Sequence, residues 1–284
     1  ENTCKGTLPA MTNHPFDAAL RLEPLAHTPG SFSGASSPDY WNMIGPFGGM
    51  TAASAMQAVM QHPDRLGEPI ALTVNYAAAL GAGPFTLQAT PVRTNRSTQH
   101  WTLLLTQRDA QGEDAVLMTA TAVTAVRRPT WSANDMPMPA TPAPAEVAAH
   151  KFAPGLEWLN RYEMRLVDGK VPQVWDGSEE DSVSRLWVRD APPRPLDFPA
   201  LAAMADVFFP RVWLRRATHV PAGTVSITTY FHADSAQLTQ SSGYLLGQAR
   251  AQAFCNGFFD QSAQLWNEAG HLLASSHQIV YYKA

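Results

Sequence analysis

A proline-rich interruption near the middle of this 284-residue chain constrains its fold more than any other feature. Five prolines lie between Pro129 and Pro144. Because proline fixes φ and lacks a backbone N–H, this stretch cannot form a regular helix or a central strand. A segment rich in proline and alanine favours an extended conformation, as in linkers. The sequence therefore predicts a linker over residues 129–154 that separates an N-terminal repeat (15–128) from a C-terminal repeat (155–284).

The same order of elements is predicted on both sides of the linker, a helix followed by long β-strands. In the first half the pattern predicts a helix over 48–60 and β-runs over 69–80, 85–107 and 115–126. In the second half it predicts a helix over 199–209, with Asp197 as its N-cap, and strands over 223–232, 243–254, 258–266 and 272–282. This order indicates an α+β fold in which two antiparallel sheets each wrap a helix. A single mixed α+β domain is the alternative.

Charge and cysteine content narrow the class of protein. The net charge of −4 and the absence of a long basic run argue against nucleic-acid binding, so an anionic ligand would need a local basic patch. No run of 18 apolar residues predicts a membrane span. Cys4 and Cys255 form no CxxC pair, which argues against a disulfide framework or structural zinc and suggests a reducing, cytoplasmic location. The first residues lack the apolar run of a signal peptide, and Met11 is a candidate for the natural first residue.

The common catalytic motifs are missing. The stretch Gly30–Gly34 resembles a nucleophile elbow, but its central residue is Phe32 where the motif needs serine. There is no HExxH, no phosphate-binding loop and no GxGxxG motif. Of the nine histidines, His271 and His277 could share a strand face, but no further ligands accompany them. We therefore expect no metal and no cofactor.

Three polar residues of the second half stand out by their surroundings. Asp206 is the only charged residue between Pro199 and Pro210, so it is either a buried functional carboxylate or the exposed stripe of the helix. Strand alternation predicts that Thr224 shares a face with Ser226, opposite Val225, although β-propensity alone explains a threonine here. Gln278 lies among apolar residues of the last strand, where it either pairs across the sheet or has a function.

Several of these residues carry a family resemblance. In the first half they are the glycine-led helix start 45–49, the stretch 72–76, Gly83-Pro84 and the Arg-x-Asn-x-Ser turn within 92–97. In the second half they are Asp206, Thr224 and the stretch 274–278. After about residue 15, the chain resembles the double-hotdog acyl-CoA thioesterases of the thioesterase II (TesB-like) type.

The resemblance implies a fold, a reaction and a set of site residues. The fold would be a double hotdog, two fused repeats in which an antiparallel sheet wraps a helix. The reaction would be hydrolysis of acyl-CoA, in fatty acid metabolism, by a water activated by Asp206, Thr224 and Gln278. Gly48, Gly49, Arg93 and Asn95 would bind substrate, and the protein would form a homodimer or a higher homo-oligomer. Many relatives have Asp where this chain has Ser226.

Two other functions are compatible with the pattern. A hotdog hydratase or dehydratase would carry an Asp and a His a few residues apart on the helix segment, but the next histidine after Asp206 is His219, beyond Pro210. A non-catalytic acyl-binding protein would have Asp206 facing solvent, distant from Thr224 and Gln278.

Overall fold

The structure, a computed structural model, describes residues 14–241 and 243–283; Cys4 and Met11 lie outside the described residues. The α-helices in this part of the chain are α1 (Pro15–Ala19), α2 (Gly48–Gln61), α3 (Phe198–Met204), α4 (Val212–Arg215) and α5 (Ser235–Gln240). The strands are β1 (Glu23–Pro24), β2 (Ser31–Ala35), β3 (Glu68–Tyr76), β4 (Pro84–Thr94), β5 (Thr98–Arg108), β6 (Asp114–Ala125), β7 (Tyr162–Asp168), β8 (Ser184–Asp190), β9 (Ala222–Phe231), β10 (Leu245–Arg250), β11 (Phe254–Cys255), β12 (Phe258–Asn267) and β13 (Leu272–Tyr282).

All of these strands belong to one antiparallel sheet in which the two halves of the chain meet edge to edge. The strand order is β1-β2-β4-β5-β6-β3-β9-β13-β12-β10-β8-β7, and β11 pairs with β12. The strands of the first half end at β3, which pairs with β9 of the second half from Ala71↔Tyr230 to Asn75↔Ser226. The hydroxyls of Thr73 and Thr228 are 2.9 Å apart across this seam. Pairing β3 with β9 covers an edge that each half would otherwise expose.

The helices α2 and α3, one from each half, pack against each other inside the sheet. Both consist of small and apolar residues, and every residue of α3 is buried. Asp197 begins α3 by accepting the N–H of Ala200 at 2.9 Å, as an N-cap does. The two helices approach so closely that a Cβ at Gly49 would lie 2.6 Å from the carbonyl oxygen of Ala203. A helix within an antiparallel sheet thus occurs twice, as the sequence predicts.

The element boundaries differ from the predicted ones in several places: the β-run predicted over 69–80 ends at Tyr76, and the strand predicted over 243–254 is interrupted between β10 and β11. The helix predicted over 199–209 spans only Phe198–Met204, so Asp206 lies after the helix and not within it. The β-run predicted over 85–107 is two strands, β4 and β5, joined by a short turn. The strands β7 and β8 were not predicted; they form the far edge of the second half of the sheet.

A β-bulge changes the face on which Thr224 lies. Ser226 pairs with Ile279 and Thr224 with Val280, so Val225 has no partner in β13. The extra residue turns Thr224 to the inner face, together with buried Ile227, while Val225 is 39% exposed. The prediction from simple alternation, with Thr224 and Ser226 on one face, is therefore wrong.

The segment between β6 and β7 covers the outer face of the second half of the sheet. Trp187 donates its ring N–H to the carbonyl of Pro142 at 2.9 Å, and Trp266 donates to the carbonyl of Met136 at 3.0 Å. Met138 packs on the same cluster of aromatic side chains. The boundaries of the linker at 129 and 154 stay a prediction. Among the described residues, no helix is both long and apolar enough to cross a membrane.

Candidate active site

Asp206, Gln278 and Thr224 form one chain of hydrogen bonds. Nε2 of Gln278 donates to Oδ1 of Asp206 at 3.2 Å, and Oγ1 of Thr224 donates to Oε1 of Gln278 at 2.8 Å. Gln278 reaches this position because its strand neighbour in β9 is Ile227, on the inner face. Asp206 follows α3, and Thr224 is turned inward by the bulge. Gln278 is buried, whereas Asp206 and Thr224 each keep part of their surface exposed.

The carboxylate of Asp206 lies at the N-terminus of α2, which belongs to the other half of the chain. The backbone N–H of Gly49 donates to Asp206. The residue before α2, Phe47, offers no side-chain cap of its own. Asp206 therefore takes the place of the N-cap, and the helix dipole favours its negative charge. Gly48 permits the approach, since a Cβ there would lie 2.9 Å from Oδ2 of Asp206.

Burial raises the pKa of Asp206 to about 7, because the low-polarity surroundings disfavour the carboxylate. The hydrogen bonds from Gln278 and from the N–H of Gly49 act in the opposite direction, since they favour the charged form. A carboxylate with a pKa near neutral pH accepts a proton far more readily than an ordinary exposed aspartate.

Two further residues hold this site, and neither was proposed from the sequence as a site residue. Tyr76, the last residue of β3, donates its hydroxyl to the carbonyl of Gly48 at 2.8 Å. Burial and the charge of Asp206 both raise the pKa of Tyr76. Ser276 donates to the carbonyl of Ala205 at 3.4 Å, directly before Asp206. The sequence signal for Tyr76 was its place in the stretch 72–76, but its partner is set by tertiary packing.

Arg93 and Asn95 lie apart from this cluster. Nε of Arg93 donates to Oδ1 of Asn95 at 3.0 Å, in the turn between β4 and β5. Across the paired strands, Arg93 lies opposite His100, His100 opposite Val123, and Val123 opposite Ala71, near the start of β3. Tyr76, which contacts Gly48 at the site, is at the other end of β3. The structure thus brings Gly48 and Gly49 to Asp206 but not Arg93 or Asn95, whose role stays a prediction.

Histidines do not enter the hydrogen-bond chain of Asp206. His277 pairs with Asp260 at 3.0 Å on the exposed side of β13, and His271 lies before that strand. Within residues 14–241 and 243–283, no three His, Cys, Asp or Glu side chains are grouped as metal ligands would be.

The sequence matches family profiles over both halves of the chain. The acyl-CoA thioesterase N-terminal domain matches residues 37–125, and the acyl-CoA thioesterase C-terminal domain matches residues 138–282. A search of curated proteins found no match.

Solved structures share the fold along almost the whole chain. A conserved protein of unknown function with a hot dog fold from Alicyclobacillus acidocaldarius is 44% identical, with a TM-score of 0.89, over 96% of this chain and 99% of the other. A candidate thioesterase II from Thermobifida fusca YX has 19% identity and a TM-score of 0.80, over 98% and 100% of the two chains. The tesB protein of Mycobacterium avium subspecies paratuberculosis has 17% identity and a TM-score of 0.74, over 95% and 98%.

The similarity to the Thermobifida and Mycobacterium structures shows the fold alone, because their sequence identities to this chain are below 20%. Together with the first, they confirm the predicted α+β double hotdog. The matches to both domain profiles confirm the resemblance, and the chain belongs to the acyl-CoA thioesterase family.

Proposed function

We propose that the protein hydrolyses acyl-CoA thioesters to a free carboxylic acid and CoA, using a water activated by Asp206, Gln278 and Thr224. The observation that carries this proposal is the bond from Gln278 to a partly exposed Asp206 at the N-terminus of α2. It joins a proton acceptor, an oriented amide and a helix N-terminus in one place. The membership of the acyl-CoA thioesterase family supports the choice of substrate.

A thioester makes few demands on such a site. Its carbonyl gains little resonance from sulfur, and a simple thiol has a pKa of about 8.5, so the leaving thiolate is a weak base. Neither a covalent nucleophile nor a metal is then required. The reaction needs an oriented water, a proton acceptor and hydrogen-bond donors for the oxygen that becomes negative.

Each requirement has a candidate group. Asp206 accepts a proton as the water oxygen bonds to the thioester carbon, giving a tetrahedral intermediate. The C–S bond then breaks, and the proton passes to the leaving thiolate. Gln278 and Thr224 orient Asp206 and its water. General-base assistance of this kind contributes about 100- to 10,000-fold to the rate.

The N-terminus of α2 supplies a candidate donor for the carbonyl oxygen. The N–H of Gly49 is engaged by Asp206. Among the described residues, the N–H of Gly48 makes no backbone hydrogen bond in a turn, loop or cap. Because Gly48 is the first residue of α2, its N–H also has no partner within the helix. We assign Gly48 to the developing oxyanion, aided by the positive end of the helix dipole.

A hydratase or dehydratase role has less support. Its chemistry would need a histidine beside Asp206, but His219 packs on Trp213 and Trp175, with ring centroids 4.4 and 5.1 Å away. The non-catalytic alternative is also less favoured, because Asp206 is joined to Gln278 and Thr224 instead of facing solvent alone.

The testing experiment is thiol release from acyl-CoA substrates of short, medium and long chain, with Asp206→Asn beside the wild type. Asparagine also serves well as an N-cap, so the helix start is kept while the proton acceptor is lost. We expect a folded variant whose kcat is lower by about 100-fold or more. Wild-type activity retained in Asp206→Asn would reduce Asp206 to a helix cap and refute the site.

The remaining expectations belong to the same proposal. They are a cytoplasmic location, a homodimer or higher homo-oligomer, a role in fatty acid metabolism, and division into repeats at 15–128 and 155–284 around the linker. Analytical ultracentrifugation of the full chain tests the assembly state.

A further inference from the structure

A cavity of about 580 Å³ opens beside the second half of the sheet, and its lining is basic. Arg215 and Arg216 come from the end of α4, Arg250 from the end of β10, and Asp181 from the loop before β8. Phe254 and Tyr282 form an aromatic wall. The lining carries three positive charges against one negative charge, in a chain whose net charge is −4. This is the local basic patch that an anionic ligand would need.

The arginines of this cavity are not neutralised by carboxylates. None of Arg215, Arg216 and Arg250 takes part in an ion pair among the described residues; all three are exposed. The guanidinium of Arg215 donates to the backbone carbonyl of Glu180. Asp181 directs Oδ1 to the N–H of Val183 at 2.8 Å. The three guanidinium groups therefore outnumber the one carboxylate of the lining.

A fourth arginine lies buried behind the cavity wall. Arg211 has no exposed surface, and its guanidinium donates to the carbonyls of Phe209 and Ser182 and to Oγ of Ser184. Ser182 and Val212, its neighbours, line the cavity. Burial lowers the pKa of Arg211, because no carboxylate offsets the loss of hydration. An anion in the cavity would offset part of that cost.

The cavity lies on the same side of the sheet as the proposed active site. Along β13, the inner face carries Gln278, then Val280, then Tyr282. Across the ladder, Thr224 pairs with Val280 and Ala222 with Tyr282. Tyr282 is four residue steps along the strand from Gln278, which is about 13 Å at about 3.3 Å per residue. The flexible pantetheine arm of CoA can span such a distance.

We propose that this cavity binds the phosphate-bearing nucleotide end of coenzyme A, while the thioester reaches Asp206. Arginine is suited to phosphate, since its planar donors contact two oxygens at once. Phe254 and Tyr282 offer faces on which an adenine packs, and the volume is within the range of small-ligand sites. The inference rests on the proposed function and deepens it, because a basic cavity of this size would bind the nucleotide of CoA, which a carrier protein lacks.

Binding is tested by calorimetry, without any turnover, using free CoA, dephospho-CoA and phosphopantetheine. Arg216→Gln and Arg250→Gln remove charge at exposed positions, and Arg108→Gln is the matched control, since Arg108 is 79% exposed on the first half. We expect each cavity variant to weaken CoA binding by about tenfold, whereas Arg108→Gln leaves it unchanged. Arg250→Lys should restore part of the loss. The double variant combines Arg216→Gln with Arg250→Gln. The proposal is overturned if this variant binds CoA as tightly as the wild type does, or if the wild type binds CoA no more tightly than phosphopantetheine.

Kinetics separate this inference from the proposed function. The wild type should have a higher kcat/KM for an acyl-CoA than for the same acyl group on pantetheine, and the double variant should lose that preference through KM alone. Equal loss for both substrates would mean a merely structural role and would overturn the inference while hydrolysis stands. Wild-type CoA binding without hydrolysis of either substrate would refute the proposed function and leave the cavity assignment supported.

Discussion

Oγ1 of Thr224 donates to Oε1 of Gln278 at 2.8 Å, and this bond fixes which way the amide of Gln278 points. A glutamine amide has an acceptor end and a donor end. With Oε1 held by Thr224, Nε2 must face Asp206, where it donates at 3.2 Å. Thr224 thus acts on Asp206 through Gln278, and we regard it as a positioning residue.

Replacing Thr224 with valine should lower kcat by about tenfold or more, because the amide of Gln278 is then free to turn its oxygen towards Asp206. Thr224→Ser, which keeps the hydroxyl, should retain most of the activity. The measurement is steady-state hydrolysis of one good acyl-CoA. Equal losses in the valine and serine variants would show that packing, not the hydroxyl, matters at this position.

Ser226 offers the matched control for Thr224. It is two residues away in the same strand, but the bulge at Val225 leaves it on the outer face, where its hydroxyl donates to Oδ1 of Asn75 at 2.8 Å. Ser226→Ala should therefore leave kcat/KM close to that of the wild type, because this hydroxyl bonds to Asn75 and not to Gln278 or Asp206. A large loss of activity in this variant would contradict the face assignment.

These two residues also show how far the sequence could lead. The resemblance selected Asp206, Thr224 and Gln278, and the structure brings the three together. Period-two alternation nevertheless predicted Thr224 on the outer face with Ser226. A one-residue bulge leaves no composition signal, and its effect is to reverse every face beyond it.

Other features were invisible because they depend on contacts distant in sequence. Asp206 caps a helix of the other half, which requires the pairing of β3 with β9 and the close approach of α2 and α3. The arginines at 215, 216 and 250 share a cavity only after β10 is placed beside α4. By contrast, α2 and β13 were predicted to within one residue, since they are long and strongly patterned.

The pH dependence of kcat/KM should report the raised pKa of Asp206, about 7. A general base is active when deprotonated, so activity should fall about tenfold per pH unit below that value and level off above it. Asp206→Asn should show no such limb in its residual activity. A wild-type profile that stays flat down to pH 5 would mean that the group controlling hydrolysis is not Asp206.

The raised pKa of Asp206 also means that its ionised form destabilises the folded protein at high pH. Its folded-state pKa of about 7 is above the ordinary value of 3.8, so the folded protein holds a proton that the unfolded chain releases between these values. The stabilisation is full below pH 3.8 and is lost as pH rises through about 7. Asp206→Asn, which stays neutral, should therefore raise Tm by a few degrees at pH 8 relative to wild type, and by less at pH 4. The measurement is a calorimetric scan of both proteins at pH 4 and at pH 8. The same difference in Tm at the two pH values would contradict a pKa of about 7 for Asp206.

Gly48 leaves no room for a side chain beside the catalytic carboxylate. A Cβ at this position would lie 2.9 Å from Oδ2 of Asp206 and 3.5 Å from the hydroxyl oxygen of Tyr76. Gly48→Ala should displace the carboxylate by a fraction of an ångström to an ångström, and misplacement on that scale can reduce kcat by about 100-fold. Alanine is the better helix former, so propensity does not predict unfolding of α2.

Gly223→Ala is the control for Gly48→Ala, because a Cβ at Gly223 meets no atom within 4 Å although this glycine immediately precedes Thr224. We expect wild-type kcat and an unchanged Tm for this variant. For Gly48→Ala we expect a large loss of kcat with KM nearly unchanged, since the clash touches the carboxylate and not the cavity for the nucleotide. Full activity in a folded Gly48→Ala protein would show that the carboxylate can move without consequence, and the role of Asp206 as the base that activates water would have to be abandoned.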